Sequence, residues 1–491
     1  MLYFDILADK PAEATALIFR DVKTSYGELR EQIQQWANAL QARGLKQGDK
    51  VGLFSKNCSD FVAAYFAIIK AGGVVVPFNF QLVPREVAYI VKDSQMKLLI
   101  TQEKLPLQDV LAELHYPEIT QLTYENMGEP VHHEFINYPQ KEEDNCTIIY
   151  TSGTTGKPKG AMLSHKNLVA NTRDFIVIVK MYPTDINMCV LPMYHCFAWT
   201  VSVSGPLYVG ACIVVQAKYI FKDVLRVIQE QKINTFVGVP TMMQLFYEGA
   251  TTEELKRIRY FISGGAPLPK TLAENFYKKF GLPVQEGYGL SEASPVVTVN
   301  PASKIKIGSI GPALPAVKVK IIDQDGNTLP PTQVGELCVQ GENVMLGYFH
   351  LPEETAQTLR DGWLHTGDMV FSDEEGYLYI VDRLKDMIIS SGENVYPREI
   401  EEVLYAYPGI EEAAVIGIPD KLRGQAICAF IVPSQGITLE KHALRKYLLE
   451  HIAPYKVPRE FNFCSELPKS GTGKILKKVL RDQATVNRIS R

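Results

Sequence analysis

The sequence predicts an α/β protein with a large N-terminal domain of parallel-type sheets and helices, a small antiparallel unit, and a small α+β C-terminal domain. Three observations predict it. From residue 50 to about 300, short apolar runs alternate with helical patterns, as in strand–helix–strand crossovers with helices on both faces of a parallel sheet. Beyond about residue 305 the texture changes to valine-rich alternation broken by turns such as IIDQDGN and GELCVQGE, a period-2 pattern of antiparallel strands. After residue 383 comes a compact stretch of roughly 105 residues, the size of a small domain. A chain of 491 residues exceeds what one hydrophobic core holds, and the expected division is 1–383 and 384–491.

In chain order, Leu29, Ile33, Trp36, Ala37 and Leu40 repeat at helical spacing and predict an amphipathic helix over 27–44 that stops at Gly44. Runs at 51–54, 74–78 and 97–100 read as strands, with a helix near 60–70. The segment 102–143 is irregular, and His132 and His133 are expected to face solvent. Runs at 188–192, 212–216, 235–240 and 260–265 read as strands ending in turns. Ligands in open α/β sheets sit at the carboxyl ends of strands, so these tails should wall one pocket. Residues 382–401, DRLKDMIISSGENVYPREIE, read as a junction. A helix at 398–406, strands near 412–418 and 426–432, a helix at 440–451 and a Lys/Gly tail complete the reading.

Composition excludes several function classes. A net charge of -4 without a basic cluster gives no reason to expect nucleic acid. The N-terminus, MLYFDILADK, carries acids early and lacks the apolar core of a secretory signal. The apolar region 61–80 is interrupted by Lys70, Gly72, Gly73 and Pro77, which suits a buried helix and strand better than a membrane span. Eight cysteines without a CxxC pair argue against a disulfide framework or structural zinc, so a reducing, cytoplasmic setting is expected. Cys189 and Cys196 are expected to be buried apolar groups.

One stretch concentrates chemistry. Residues 150–160, YTSGTTGKPKG, pack three glycines, hydroxyl residues and two lysines behind Ile148 and Ile149. Glycine lets backbone approach an anion, and N–H groups, hydroxyls and lysines can cradle phosphate oxygens. The spacing is not that of a Walker loop: Gly153 and Gly156 stand too close, and Pro158 follows Lys157.

This stretch resembles the phosphate loop of the adenylate-forming superfamily, in its acyl-CoA synthetase branch, and further motifs extend the resemblance over residues ~24 to ~478. It implies that Thr151, Ser152, Gly153, Thr154, Thr155, Gly156 and Lys157 bind ATP, with Thr151 to Gly156 a mobile cover over it. GYGLSE at 287–292 is similar to the YGxTE motif, with Ser for Thr. That implies Mg²⁺ on Glu292 and phosphate near Ser291, a hard oxygen donor suiting this cation. The match likewise implies nucleotide contacts from Gly264, Gly265, Ala266, Glu286, Gly287, Tyr288 and Gly289, and ribose contacts from Asp368 and Arg383. PKSGTGKILKK at 468–478 resembles the C-terminal lysine motif, implying a catalytic Lys474. A carboxylate must approach the α-phosphate of ATP, and metal and lysines offset the repulsion between the two anions. The products would be acyl-adenylate and pyrophosphate, and a thiol then displaces AMP. In the family the C-terminal domain is mobile and rotates between the two steps. Lys385 matches the hinge, and Gly392 the tunnel for the pantetheine arm.

Residues 191–199, LPMYHCFAW, should line the acyl pocket, with His195, Trp199, Val239 and Gly264 in its wall. The stretch has no acid to pair an amino acid's ammonium and no arginine for a second carboxylate, although Arg257 and Arg259 lie near the strand at 260–265. Trp199 resembles the gating tryptophan of long-chain enzymes. Medium- or long-chain fatty acids are the first expectation and benzoate- or coumarate-like acids the second. Free coenzyme A is the expected acceptor, since the chain ends about seventeen residues after Lys474 and lacks the insertion of fatty acyl-AMP ligases. The rivals are transfer to a carrier protein and a non-catalytic acyl or nucleotide sensor. Peripheral membrane contact and a homodimer stay open.

Overall fold

The computed structural model describes residues 1–129, 131–152, 158–384, 386–390, 393–420, 423–470 and 473–489. Helix Tyr26–Ala42 is the expected amphipathic one. Ser25 caps it by accepting the Glu28 N–H while Glu28 Oε2 accepts the Ser25 N–H at 2.7 Å, a reciprocal capping box. Helix Ser59–Lys70 is apolar all round because residues 61–69 are all buried.

The alternation of strands and helices builds two sheets. Among the described residues, one has eight strands, in the order Val296–Val299, Val284–Gly289, Tyr260–Ser263, Thr235–Gly238, Ile186–Cys189, Cys212–Val215, Thr15–Phe19 and Val22–Ser25. Its interior pairs are parallel, and the pairs at its two edges are antiparallel. The second has seven, in the order Gly347–Tyr348, Pro158–Ser164, Asn145–Ser152, Val74–Pro77, Lys50–Phe54, Leu98–Thr101 and Thr120–Thr123. A core cluster joins them, taking Leu17, Ile213 and Val215 from the first and Val51, Leu53 and Val75 from the second.

An antiparallel sheet follows from Val317–Ile322, Gly335–Gly341, Trp363–Ser372, Leu359–Arg360 and Leu378–Arg383. Residues beyond 386 form a fourth sheet around the long antiparallel pair Ile410–Asp420 and Gly424–Pro433. Helices Pro397–Tyr405, Lys441–His451 and Lys477–Ile489 belong to the same part of the chain.

Three expectations need correcting. The irregular segment supplies helix Gln108–Glu113 and the edge strand Thr120–Thr123. The Lys/Gly tail continues into helix Lys477–Ile489, whose Leu480 is buried against Ile416 and Cys428. His132 is exposed, but His133 is half-buried and its carbonyl accepts the Asn38 amide at 3.2 Å.

Candidate active site

A cleft of about 1910 Å³ opens where the ends of these sheets meet the C-terminal segment. The hairpin of Asn145–Ser152 and Pro158–Ser164 brings Thr151 opposite Lys159 at its rim. Gly160 is required there, because a Cβ would lie 2.7 Å from Ile148 Cγ2. Gly153, Thr154, Thr155 and Gly156 of the expected mobile cover, and Lys157, lie outside the described residues, as do Lys385 and Gly392.

Strand Val284–Gly289 carries the next group. Gly289 must be glycine, since a Cβ would fall 2.0 Å from the Pro295 carbonyl. Tyr288 donates its hydroxyl to Asp368 Oδ2 at 2.5 Å, and Arg383 Nε lies 3.0 Å from Asp368 Oδ1. Asp368 pairs with Arg383 across the antiparallel strands Trp363–Ser372 and Leu378–Arg383, which fixes both side chains. The Gly367 N–H donates to Glu336 Oε1 at 3.1 Å, holding the turn before Asp368.

Glu286 also lines the cleft. Its Oε1 accepts the Leu268 N–H at 3.0 Å and so anchors the 264–268 loop. Burial pushes its carboxyl up to about 7, against the opposing pull of Arg398 and of this hydrogen bond. Gly265 (φ +78°) and Ala266 line the cleft. Gly264 lies beneath Phe197, where a Cβ would meet the ring at 2.8 Å. Gly287 also lines the cleft.

The His195 side chain caps the short helix Cys196–Ala198, Nδ1 accepting the Phe197 N–H at 3.2 Å. Burial first, then the charge of Lys474, drives its pKa down to about 4. The ring is therefore neutral at pH 7. Lys474 comes from the far end of the chain and lines the same cleft. Its neighbour Gly473 sits where a Cβ would be 3.6 Å from both Thr241 Oγ1 and Val239 Cγ2. Val239 thus lies between the 264–265 turn and the Lys474 loop rather than open to the cavity.

Trp199 does not line the cleft. It is 3% exposed, stacks on Tyr65 at 3.8 Å between ring centroids and donates its Nε1–H to the Tyr3 hydroxyl at 2.9 Å. The segment Trp199–Ser204 is π-helical, and within it Val201 lines the cavity. Arg259 is occupied elsewhere, pairing with Asp185 at 2.7 Å.

The chain from residue 4 to 349 matches the family model of the AMP-binding enzymes, and residues 399–474 match that of the AMP-binding enzyme C-terminal domain. The chain is an AMP-binding enzyme. It is 36% identical to a feruloyl-CoA synthase of Amycolatopsis sp, over 95% of each chain. It is 34% identical to a long-chain-fatty-acid–CoA ligase of Bacillus subtilis (strain 168), over 98% of this chain and 94% of the relative. ATP-bound MatB from Rhodopseudomonas palustris superposes with a TM-score of 0.92 at 32% identity, over 98% of this chain and 99% of that one.

Within this AMP-binding enzyme the cleft also shows contacts that no motif announced. The Tyr348 hydroxyl donates to Glu292 Oε1 at 2.7 Å. Cys196 Sγ lies 3.2 Å from Ser291 Oγ, and burial pushes the thiol up to about 11, so it stays protonated. Arg398, in helix Pro397–Tyr405, lines the cleft nearly buried. Their signal is geometric: each faces a residue far away in sequence, and a one-dimensional pattern does not carry that pairing.

Proposed function

We infer that this chain activates a medium- or long-chain fatty acid, in an ATP-dependent reaction, to acyl-adenylate and then acyl-CoA, releasing AMP and pyrophosphate. As an AMP-binding enzyme it is an acid–thiol ligase of the acyl-CoA synthetase kind. One observation carries the site assignment. Lys474, His195, Glu292 and the Asp368–Arg383 pair, from five separate stretches of chain, line a single cleft. Asp368 and Arg383 would hold the ribose. The Thr151 hairpin and Ser291 would face the phosphates. Lys474 would neutralise the acid's carboxylate as it meets the α-phosphate.

The Glu292 carboxylate, oriented by Tyr348 on one oxygen, suits a hard divalent cation such as Mg²⁺ bound with the nucleotide phosphates. That cation would neutralise charge on the phosphoryl oxygens. The neutral His195 adds no charge beside the incoming carboxylate. Residues 1–383 and 384–491 would act as two bodies, with Lys474 withdrawn before the thiol enters.

The fatty-acid preference rests on the wall. Phe175, Val201, Ile262, Val296, Val299 and Ile310 line the cleft and belong to one hydrophobic cluster. An uncharged tail fits such a wall, whereas a second carboxylate would be buried unpaired. An aromatic acid is the second reading, favoured by the identity to a feruloyl-CoA synthase. Among the described residues no helix is long and apolar enough to cross a membrane. A carboxylate panel in a pyrophosphate-release assay tests the proposal. Fatty acids should release pyrophosphate and AMP with the highest kcat/KM; cinnamates ahead of them would install the second reading, and ADP as product would overturn both.

A further inference from the structure

Helix Pro397–Tyr405 carries Arg398 and Glu402 one turn apart, with Arg398 Nε 3.7 Å from Glu402 Oε1. Each acts on a group more than a hundred residues earlier in the chain, Glu402 through a hydrogen bond and Arg398 through its charge. Glu402 Oε2 accepts the backbone N–H of Lys270 at 3.3 Å. Lys270 opens helix Lys270–Phe280, where N–H groups lack intrahelical partners and the dipole favours an anion. Arg398 is 9% exposed, shares the cleft with Glu286, and supplies the largest attraction acting on that buried carboxylate. Arg398 Nη1 is buried without a hydrogen-bond partner among the described residues. The Arg398 backbone N–H donates to Asp382 Oδ2 at 2.9 Å, fixing the helix to the strand that ends at the junction.

We propose that Arg398 and Glu402 form the docking face by which the C-terminal domain seats on the N-terminal domain for acid activation, with Arg398 as the positioning residue opposite Glu286. This rests on the two-body reading above. A contact can bias two arrangements only through interactions that differ between them. Turning the C-terminal domain away separates Arg398 from Glu286 and removes Glu402 from the helix end, so both interactions favour the arrangement that holds Lys474 beside His195. The pattern is also directional: a cation shares the cleft with an acid and an acid meets a helix N-terminus, so a helix docked in another register would set like charges together.

Facing Glu286 are Arg398 and Glu402 from helix Pro397–Tyr405, and the Leu268 N–H from its own side. Without Arg398, docking would bury an unpaired carboxylate beside Glu402. That penalty is full where Glu286 is ionised and relieved where it takes up a proton.

The test measures two half-reactions on the full chain: acid-dependent ATP–pyrophosphate exchange, and acyl-CoA formation from supplied acyl-adenylate. Lys474→Ala serves as the reference for the alternation, and thermal unfolding checks each variant. Arg398→Ala should slow exchange about tenfold or more while leaving thioester formation within about twofold. Arg398→Lys should recover part of the loss. The exchange defect should grow as rising pH ionises Glu286 and shrink as it takes up a proton, with a midpoint above the wild-type value of about 7 because Arg398 no longer lowers it, and Glu286→Gln should remove that pH dependence. Equal loss in both half-reactions, an unchanged exchange rate, or a pH-independent defect would overturn the docking role while Lys474→Ala still separates the steps. Should Lys474→Ala fail to separate them, the alternation falls and this inference with it.

Discussion

The Tyr348 hydroxyl donates to Glu292 Oε1 at 2.7 Å, joining two residues 56 positions apart. Tyr348 sits in strand Gly347–Tyr348, which extends the Pro158–Ser164 hairpin, opposite Ala161. The Lys159 ammonium lies 5.3 Å over its ring. One tyrosine thus ties the hairpin that carries the glycine-rich loop to the carboxylate proposed to meet the nucleotide's cation.

Tyr348→Phe removes that hydrogen bond and keeps the ring. A hydrogen bond to a charged group contributes about 1.5–3 kcal/mol, and its loss frees Glu292 to rotate. We expect the KM for ATP to rise about tenfold and the Mg²⁺ dependence to move to higher concentration, with the KM for the acid little changed. Calorimetric binding of Mg–ATP gives a readout independent of turnover. Unaltered ATP binding would assign Tyr348 to packing alone.

Lys474 has its clearest signature in the split between steps. Its charge reaches His195 inside the cleft, so it is positioned for the step in which a carboxylate meets ATP. Lys474→Ala should lower ATP–pyrophosphate exchange by about 10²–10³-fold, the usual range for losing one group that stabilises developing charge. Acyl transfer from supplied adenylate should persist. Comparable loss in both would mean that Lys474 serves the fold or the thiol step.

Trp199 belongs to stability rather than chain-length selection. Its ring is held by Tyr65, Phe61 and Phe66, and its Nε1–H by Tyr3. Trp199→Ala should destabilise the protein by about 3–5 kcal/mol, as large-to-small core substitutions do. Trp199→Phe should keep the acyl preference, while Val201→Phe, in the cavity wall, should shorten the chains accepted. A chain-length shift in Trp199→Phe at unchanged stability would return the residue to the pocket.

These cases mark what was legible. The strand–helix alternation, the antiparallel unit and the helix at Tyr26–Ala42 follow from hydrophobic period and turn residues, which are local properties. The grouping of Lys474, Asp368, Arg383 and Glu292 was readable because each stands in a recognisable motif. Trp199, expected in the cleft wall, packs behind it, because position along the chain does not say which face of a π-helical turn looks inward. Tyr348 and Arg398 escaped because their meaning lies in groups elsewhere, Glu292 and Glu286; Cys196 is buried as expected, and only its contact with Ser291 could not be read. The division of one alternating pattern into two sheets is likewise set by strand order, which period alone does not encode.

His165 supplies a pH prediction for stability. It is 1% exposed at the start of helix His165–Val179, with Nδ1 accepting the Tyr3 N–H at 3.0 Å. Burial lowers its pKa from 6.5 to about 4, against the weaker upward pull of Asp144 and Glu142. Between these values the unfolded chain binds a proton that the folded chain does not. Stability therefore rises with pH through this window, is fully present above 6.5 and is lost as pH falls toward about 4. His195 contributes with the same sign. Glu286, raised to about 7, contributes with the opposite sign, its stabilisation fading as pH rises from 4.5. The readout is consequently the difference between wild type and His165→Gln, in which an amide oxygen can accept the Tyr3 N–H without titrating. Chemical denaturation at a series of pH values should give curves that diverge below about 6.5, the wild type losing stability faster on acidification. Parallel curves across that range would show that His165 is protonated in the native protein, with its Nδ1 no longer accepting from Tyr3.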